Sequence, residues 1–469
     1  MKKSKYNYFF DHEQQYIGYS WLSGQYFCYE KTLKSRVGKL LECPDNIITS
    51  RDALIYKELT DKKFIIPDGF DEYGYLVDLH RQLLHRKDKL AFAIMPTMAC
   101  NLRCVYCYES HPSLSNSGIS PEIVEKLKKQ IRSRIKKLKE LNISWFGGEP
   151  LYLADFVADF SHHCQQLCEE NDVIYSSSMS SNGVFLTPAN SEKLSKAGLH
   201  SIQITIDGYR ENHDKRRITK NKKGTFDIIF KNINSFLNVD SQNKIRLRIH
   251  FPTNADENYL MHTLGMLDTF PEKLRSRIHV YSHILYEACT ENWFQQNENG
   301  AAVPAKSCGE QQLLKPNTIN EILAEFRIQA SEMSFTTSRQ LANRDYWYCT
   351  ADLDWFWTVR PDGFLTKCTV AVEKERAQAR LTDDGIKTIG NRLFDYKQKE
   401  LSGELFEQCR DCHYYPLCWG GCAFSVKQSK SIQEFITKRC RRIESDYIIK
   451  RKLDDIKYSY LEKKRNQTA

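Results

Sequence analysis

The sequence predicts an α/β protein whose middle is a run of parallel βα units. Two observations carry this. From Ala91 to about Leu285, short strands alternate with helical segments. The first strand, Ala91-Phe-Ala-Ile-Met95, reads as a short buried strand and runs directly into Cys100-Asn-Leu-Arg-Cys104-Val-Tyr-Cys107. The loop after a barrel strand is where β/α folds place their chemistry.

Residues 1–89 precede these units. Tyr6–Phe10 and Gln15–Glu30 are aromatic and alternating, as in a hairpin or meander. Arg51–Leu59 and Val77–His85 have helical character, with the short apolar run Lys63-Phe-Ile-Ile-Pro67 between them. This composition predicts a small winged-helix-like module, or a packing extension with no ligand of its own. In the βα region, Ser120-Pro121 is a helix start, with an N-cap residue before proline at the first helical position. Lys128, Lys129, Arg132, Lys136 and Lys139 surround the apolar stripe Val124, Leu127, Ile131 and Leu138, which predicts a solvated helix face. Helical segments around Asp155–Glu170, Ser191–Ala197, Phe226–Leu237 and Asn258–Leu267 separate the later strands. Residues 286–345 read as a bridge, 346–445 as a cysteine-rich domain and 446–469 as a basic tail.

Three thiolates at spacing C-x3-C-x2-C can bind three irons of a [4Fe–4S] cube and leave the fourth iron open for chemistry. With 16 cysteines in 469 residues, a random chain would show this pattern about 0.02 times, so chance is a poor explanation. A zinc knuckle or scattered core thiols are the alternatives. Four more segments follow. Ile143-Ser-Trp-Phe-Gly147-Gly148-Glu149-Pro is a strand entering a turn, and Ser180-Ser-Asn-Gly183 ends another strand. Ile202-Gln-Ile-Thr-Ile-Asp-Gly208 alternates strictly, with Gln203, Thr205 and Asp207 on one face. Arg246-Leu-Arg-Ile-His250 alternates likewise, so Arg246, Arg248 and His250 face either the lumen or solvent.

Together these segments resemble the radical S-adenosylmethionine (SAM) enzymes, with Tyr106 as the aromatic residue between the last two cysteines. The resemblance implies a partial (β/α)6 barrel, and the 195 residues from Ala91 to Leu285 fall short of the ~250 of a full eight-unit barrel. It implies that Cys100, Cys104 and Cys107 hold the cluster. SAM would then contact Tyr106, the Gly147-Gly148-Glu149 turn, Thr205 and Arg217. For Arg217, a surface arginine in a basic run is the alternative.

The later cysteines resemble the SPASM domain, which carries two auxiliary [4Fe–4S] clusters, giving three in all. By that resemblance Cys349, Cys368 and Cys422 hold one, and Cys409, Cys412, Cys418 and Cys440 the other. A pair of zinc sites is one alternative, and a disulfide framework, disfavoured because no secretory pattern precedes the array, is the other. The fourth ligand of the first auxiliary cluster is Cys308 or an open position. The array is closest to maturases of ribosomally made peptides. Anaerobic sulfatase maturases place a further cysteine where Asn343 stands and a catalytic aspartate where Thr369 stands, so formylglycine formation is the lesser expectation.

These readings predict an oxidoreductase that modifies a peptide or protein, giving a crosslink or an oxidised side chain. Residues 1–89 would hold a leader segment, and flavodoxin or ferredoxin would supply electrons. A non-catalytic peptide-binding or chaperone protein is disfavoured, because it has no need of an open iron. The net charge of +9 is moderate, and the basic tail makes a nucleic acid partner a weak expectation. No run of 18 apolar residues marks a membrane span. The chain start shows no secretory pattern, so a cytoplasmic, reducing location is expected.

Overall fold

A computed structural model describes residues 1–45, 47–107, 118–285, 295–296, 302–303, 316–337, 349–370, 372–389 and 407–419, with residues 453, 456, 457 and 460. The chain divides into two compact units, one of residues 1–86, 338–354 and 392–469, the other of residues 87–337 and 355–391.

The first unit opens with β1 (Lys2–Lys3) and a meander of β2 (Asn7–His12), β3 (Gln15–Ser20) and β4 (Gln25–Glu30). Helices α1 (Lys34–Glu42) and α2 (Ser50–Asp61) follow, then β5 (Ile65–Ile66), which pairs antiparallel with β1, and α3 (Glu72–Leu84). Thr49 and Asp52 form a reciprocal capping box that starts α2. Tyr16, Phe27, Val37, Leu40, Ile55, Leu59 and Phe64 close one core between meander and helices. In a second core Tyr6, Trp21, Tyr73 and Leu76 pack with Tyr415, Leu417 and Trp419. A three-stranded meander leading into helices is what the alternating aromatic pattern predicted; the specific winged-helix form remains an expectation.

The second unit is built on β6 (Lys89–Ile94), β7 (Glu140–Trp145), β8 (Ile174–Ser181), β9 (Ser201–Ile206), β10 (Lys244–Pro252) and β11 (Ile278–Leu285). These six are parallel and adjacent in chain order, the arrangement that successive βα units produce. The intervening helices are α4 (Pro121–Arg132), α5 (Ala154–Glu169), α6 (Pro188–Lys196), α7 (Arg210–Arg216), α8 (Phe226–Val239), α9 (Glu257–Asp268) and α10 (Glu272–Arg275). Ser120 caps α4 through Ile123 N, with Pro121 at its first turn. Ile123, rather than Val124, completes its buried stripe with Leu127 and Ile131, while Lys126 and Lys128 pair with Glu122 and Glu125 on the outer face.

Strand alternation decides which face is dry. Ile202, Ile204, Ile206, Ile245, Leu247 and Ile249 are all fully buried. The opposite face is polar and bounds a cavity lined by Arg246, Arg248 and His250, of which Arg246 is exposed, Arg248 half-buried and His250 buried. A seventh strand, Phe356–Val359, adds parallel to β6 on its free side, and three antiparallel strands (Phe364–Thr366, Ala379–Thr382, Gly385–Thr388) extend the sheet. Residues 355–389, expected in a cysteine-rich domain, therefore share the sheet of the βα units. Among the described residues no helix is long and apolar enough to cross a membrane.

Candidate functional site

A cavity of about 740 Å³ lies within the second unit. Cys100, Cys104, Cys107 and Tyr106 line it from the loop after β6, Gly147 and Gly148 from the turn after β7, and Asn182 from the end of β8. Thr205, Arg217, Arg246, Arg248, His250 and His283 also line it, with Thr369 and Val370. The three thiols, Tyr106, the two glycines, Thr205 and Arg217 thus come together as residues of one wall.

Backbone contacts fix the cysteine loop. Arg103 N donates to Ile218 O at 2.7 Å and Val105 N to Arg216 O at 3.1 Å. Cys107 N donates to Cys104 O at 3.1 Å, closing a turn around Tyr106. On the other side, Gly148 N and Glu149 N donate to Thr97 O and Ala99 O. A Cβ on Gly148 would stand 2.2 Å from Ala99 O and 2.5 Å from Met98 O, so only glycine lets the turn pack on the loop. Gly147 adds a positive φ of +117°.

Glu149, expected to face SAM, does not line the cavity. It is fully buried, and both oxygens serve the protein: Oε1 accepts from Leu151 N at 3.0 Å and Ser181 Oγ at 2.8 Å, and Oε2 from Asn182 N at 2.8 Å. Burial pushes its carboxyl above the usual range. The carboxylate ties the turn after β7 to the end of β8, which sets Asn182 in place. Asn182 Nδ2 in turn donates to Asn101 Oδ1 at 2.8 Å and lies 3.7 Å from Cys100 Sγ.

A second network was not read from the sequence. Tyr106 Oη donates to Asp207 Oδ1 at 2.8 Å and accepts from Arg217 Nη1 at 2.9 Å. His250 Nδ1 donates to the same Asp207 oxygen at 2.9 Å, and the Tyr106 and His250 rings pack edge to face at 5.4 Å. Burial opposes ionisation of Asp207, but the His250 hydrogen bond with the charges of His250, Arg217 and His213 outweighs it, so its carboxyl lies below the usual 3.8. Burial likewise holds His250 below 6.5. Asp207 is thus a fixed anion that orients Tyr106 and His250 on either side. The only hint in the sequence was that Asp207 and His250 each end an alternating polar face.

The donor set fits an iron–sulfur cube with SAM. Three soft, half-buried thiols share the wall, and the buried Nε of Arg217 has no hydrogen-bond partner among the described residues. Burial raises the Cys100 thiol to about 12 and raises that of Cys104, so metal must displace their protons. Among the described residues no three His, Cys, Asp or Glu side chains converge as ligands of one ion. The thiolates of a cube bind separate irons and do not converge on one point. Of the later cysteines, Cys349 lies in the first unit and Cys368 in the second. Cys412 N donates to Cys409 O at 3.1 Å, and Cys418 ends the short helix Tyr415–Cys418. Cys308, Asn343, Cys422 and Cys440 lie outside the described residues.

Residues 94–264 match the model of the radical SAM superfamily, and this part of the chain is a radical SAM domain, whose cofactors are a [4Fe–4S] cluster and SAM. A cysteine-type anaerobic sulfatase-maturating enzyme of Clostridium novyi is 30% identical over 154 residues, 31% of this chain and 39% of that protein. A probable GTP 3′,8-cyclase of Methanocella arvoryzae is 30% identical over 144 residues, 30% of this chain and 42% of that protein. The chain thus spans less than half the length of these curated relatives. Among solved structures, native anSMEcpe with bound AdoMet and Cp18Cys peptide aligns with a TM-score of 0.51 at 18% identity, over 76% of this chain and 98% of that one. Residues 94–264 thus form a radical SAM domain, and over about a third of its length the chain is similar to a protein-maturating enzyme.

Proposed function

We propose that this enzyme modifies a peptide or protein substrate and leaves a crosslink or an oxidised side chain. The observation that carries the choice is the cavity wall: it holds the three thiols at one end and, among the described residues, no Asp or Glu. When bound, the cluster and SAM supply a 5′-deoxyadenosyl radical that takes a hydrogen atom from the substrate. Cys100, Cys104 and Cys107 would hold the cluster, with the Gly147-Gly148 turn, Tyr106, Thr205 and Arg217 around SAM. Arg217, whose Nε has no hydrogen-bond partner among the described residues, is suited to a carboxylate or ribose oxygens.

Thr369 stands in this wall directly after Cys368, where the resembling sulfatase maturases carry a basic aspartate. A threonine hydroxyl does not take a proton near neutral pH unaided. The sulfatase-maturating relative keeps formylglycine formation as the second reading, and the missing carboxylate argues against it. Cys349, Cys368 and Cys422, and Cys409, Cys412, Cys418 and Cys440, would hold two auxiliary clusters, which would supply an acceptor for an electron from the substrate. The meander and helices of residues 1–89 are proposed to bind a substrate leader, with β4, paired with β3 in the meander, as the strand nearest in kind to a β-augmentation site. Flavodoxin or ferredoxin would reduce the first cluster, in a cytoplasmic setting.

The test is anaerobic incubation of the reconstituted, reduced enzyme with SAM and either a short peptide encoded beside its gene or a sulfatase-derived Cys/Ser peptide. Loss of two hydrogens from the former, with the latter unchanged, is expected. Formylglycine at a rate comparable with SAM cleavage would promote the second reading.

A further inference from the structure

Away from the thiols the cavity wall becomes cationic. Arg246 and Arg248 lie two residues apart on the inward face of β10, and both line the cavity. The register sets Gln203 beside Arg246 and Thr205 beside Arg248 on β9, with Tyr281 beside Arg248 on β11. Tyr281 orders this patch. Its hydroxyl accepts from Arg248 Nε at 2.8 Å and donates to Gln203 Oε1 at 2.6 Å. Both guanidiniums lie by its ring, at 5.7 Å for Arg246 and 5.6 Å for Arg248. Gln203 Nε2 continues the chain to Ser180 Oγ at 3.2 Å. Among the described residues, the contacts of Arg246 and Arg248 include no carboxylate.

Arg248, half-buried and fixed by Tyr281, and exposed Arg246 two residues along make a cationic patch on the cavity wall with no carboxylate among their described contacts, an arrangement suited to an anionic ligand. In the reading proposed above, the SAM carboxylate is not that anion: it sits at the thiol end, where His250 packs on Tyr106. At about 3.3 Å per strand residue, Arg248 and Arg246 lie roughly 7 and 13 Å from His250 along β10. The anion therefore belongs to the substrate. The surrounding Ser178, Ser180 and Gln203 are neutral. Two guanidinium forks can both hydrogen-bond one carboxylate, which has two oxygens, whereas a nucleoside triphosphate carries more negative charge than two guanidiniums balance.

We infer that Arg246 and Arg248 form a substrate subsite for a side-chain carboxylate, so that the peptide carries Asp or Glu beside the residue that is modified. This rests on the peptide-modifying function proposed above. The test uses the reconstituted, SAM-loaded full-length enzyme and two capped pentapeptides, Ac-Gly-Gly-Glu-Gly-Gly-NH2 and its Gln counterpart, with GTP as a third probe. The wild type is expected to bind the Glu peptide about tenfold more tightly than the Gln peptide, the range of a charge-assisted contact. The Arg246→Gln/Arg248→Gln variant should lose that preference, and an unchanged SAM dissociation constant would show an intact cavity. Equal binding of both peptides by the wild type overturns the inference, as does tighter binding of GTP than of the Glu peptide. A variant with weakened SAM binding also overturns it, by assigning the arginines to SAM. Failure of the wild type to bind SAM at all would instead overturn the function on which the inference rests.

Discussion

Removing the Glu149 carboxylate should unlock the loop architecture before it affects any cofactor. Glu149→Ala leaves Leu151 N, Asn182 N and Ser181 Oγ buried without their acceptor. Each orphaned donor costs about 1–3 kcal/mol, and partial relaxation brings the sum to roughly 3–6 kcal/mol. That is a large share of the ~5–15 kcal/mol that holds a domain together. Glu149→Gln is the milder perturbation: its remaining oxygen can still accept from Leu151 and Ser181, while the amide faces Asn182 N, donor against donor. It should cost about 1–3 kcal/mol. The assay is amide hydrogen exchange on the metal-free protein, read at Leu151 and Asn182. Protection at both should fall in Glu149→Gln, and further in Glu149→Ala if that variant folds. Unchanged protection of the metal-free Gln variant, together with lost SAM affinity of the reconstituted one, would refute this reasoning and return Glu149 to the cofactor.

Other perturbations reach the same site. Gly148→Ala should lower iron bound at the first cluster after reconstitution, because its Cβ meets the backbone oxygens of Met98 and Ala99; wild-type iron content would contradict this. Burial holds His213 at about 3 against its ordinary 6.5, with Arg217 and His250 also lowering it and Asp207 raising it. A histidine kept neutral in the fold favours folding above its unfolded pKa, and that contribution falls as pH drops below 6.5. Between pH 7 and 5 the loss is about 2 kcal/mol, read as a shift in urea midpoint that His213→Gln should reduce. Asp207→Asn should weaken SAM binding by freeing Tyr106 and His250 together, and wild-type affinity in that variant would show the network to be structural only.

Much of this was legible in the sequence because it is local. Strict alternation in Ile202–Ile206 and Arg246–His250 separated the helix-packed isoleucines from the inward polar side chains. The cysteine spacing and the Gly-Gly turn marked the site, although the glycines serve first to let the turn meet residues 97–99. What escaped depends on pairings distant along the chain. Glu149 could be placed behind the wall only by knowing that β8 lies next to β7 and brings Ser181 and Asn182 to it. The cluster around Asp207 assembles Tyr106, Arg217 and His250 from separate segments. Nothing local in Phe356–Val359 marks it as the strand that pairs with β6, since that register joins residues far apart in sequence.

The most direct measurement is formation of 5′-deoxyadenosine by the anaerobically reconstituted enzyme with SAM and dithionite. It should be compared with a variant in which Cys100, Cys104 and Cys107 are all alanine. Iron counting on both adds the proposed stoichiometry, about twelve irons for three clusters and about eight in the variant. The account predicts cleavage by the wild type and none by the variant. 5′-Deoxyadenosine from the triple variant would contradict the assignment of the site.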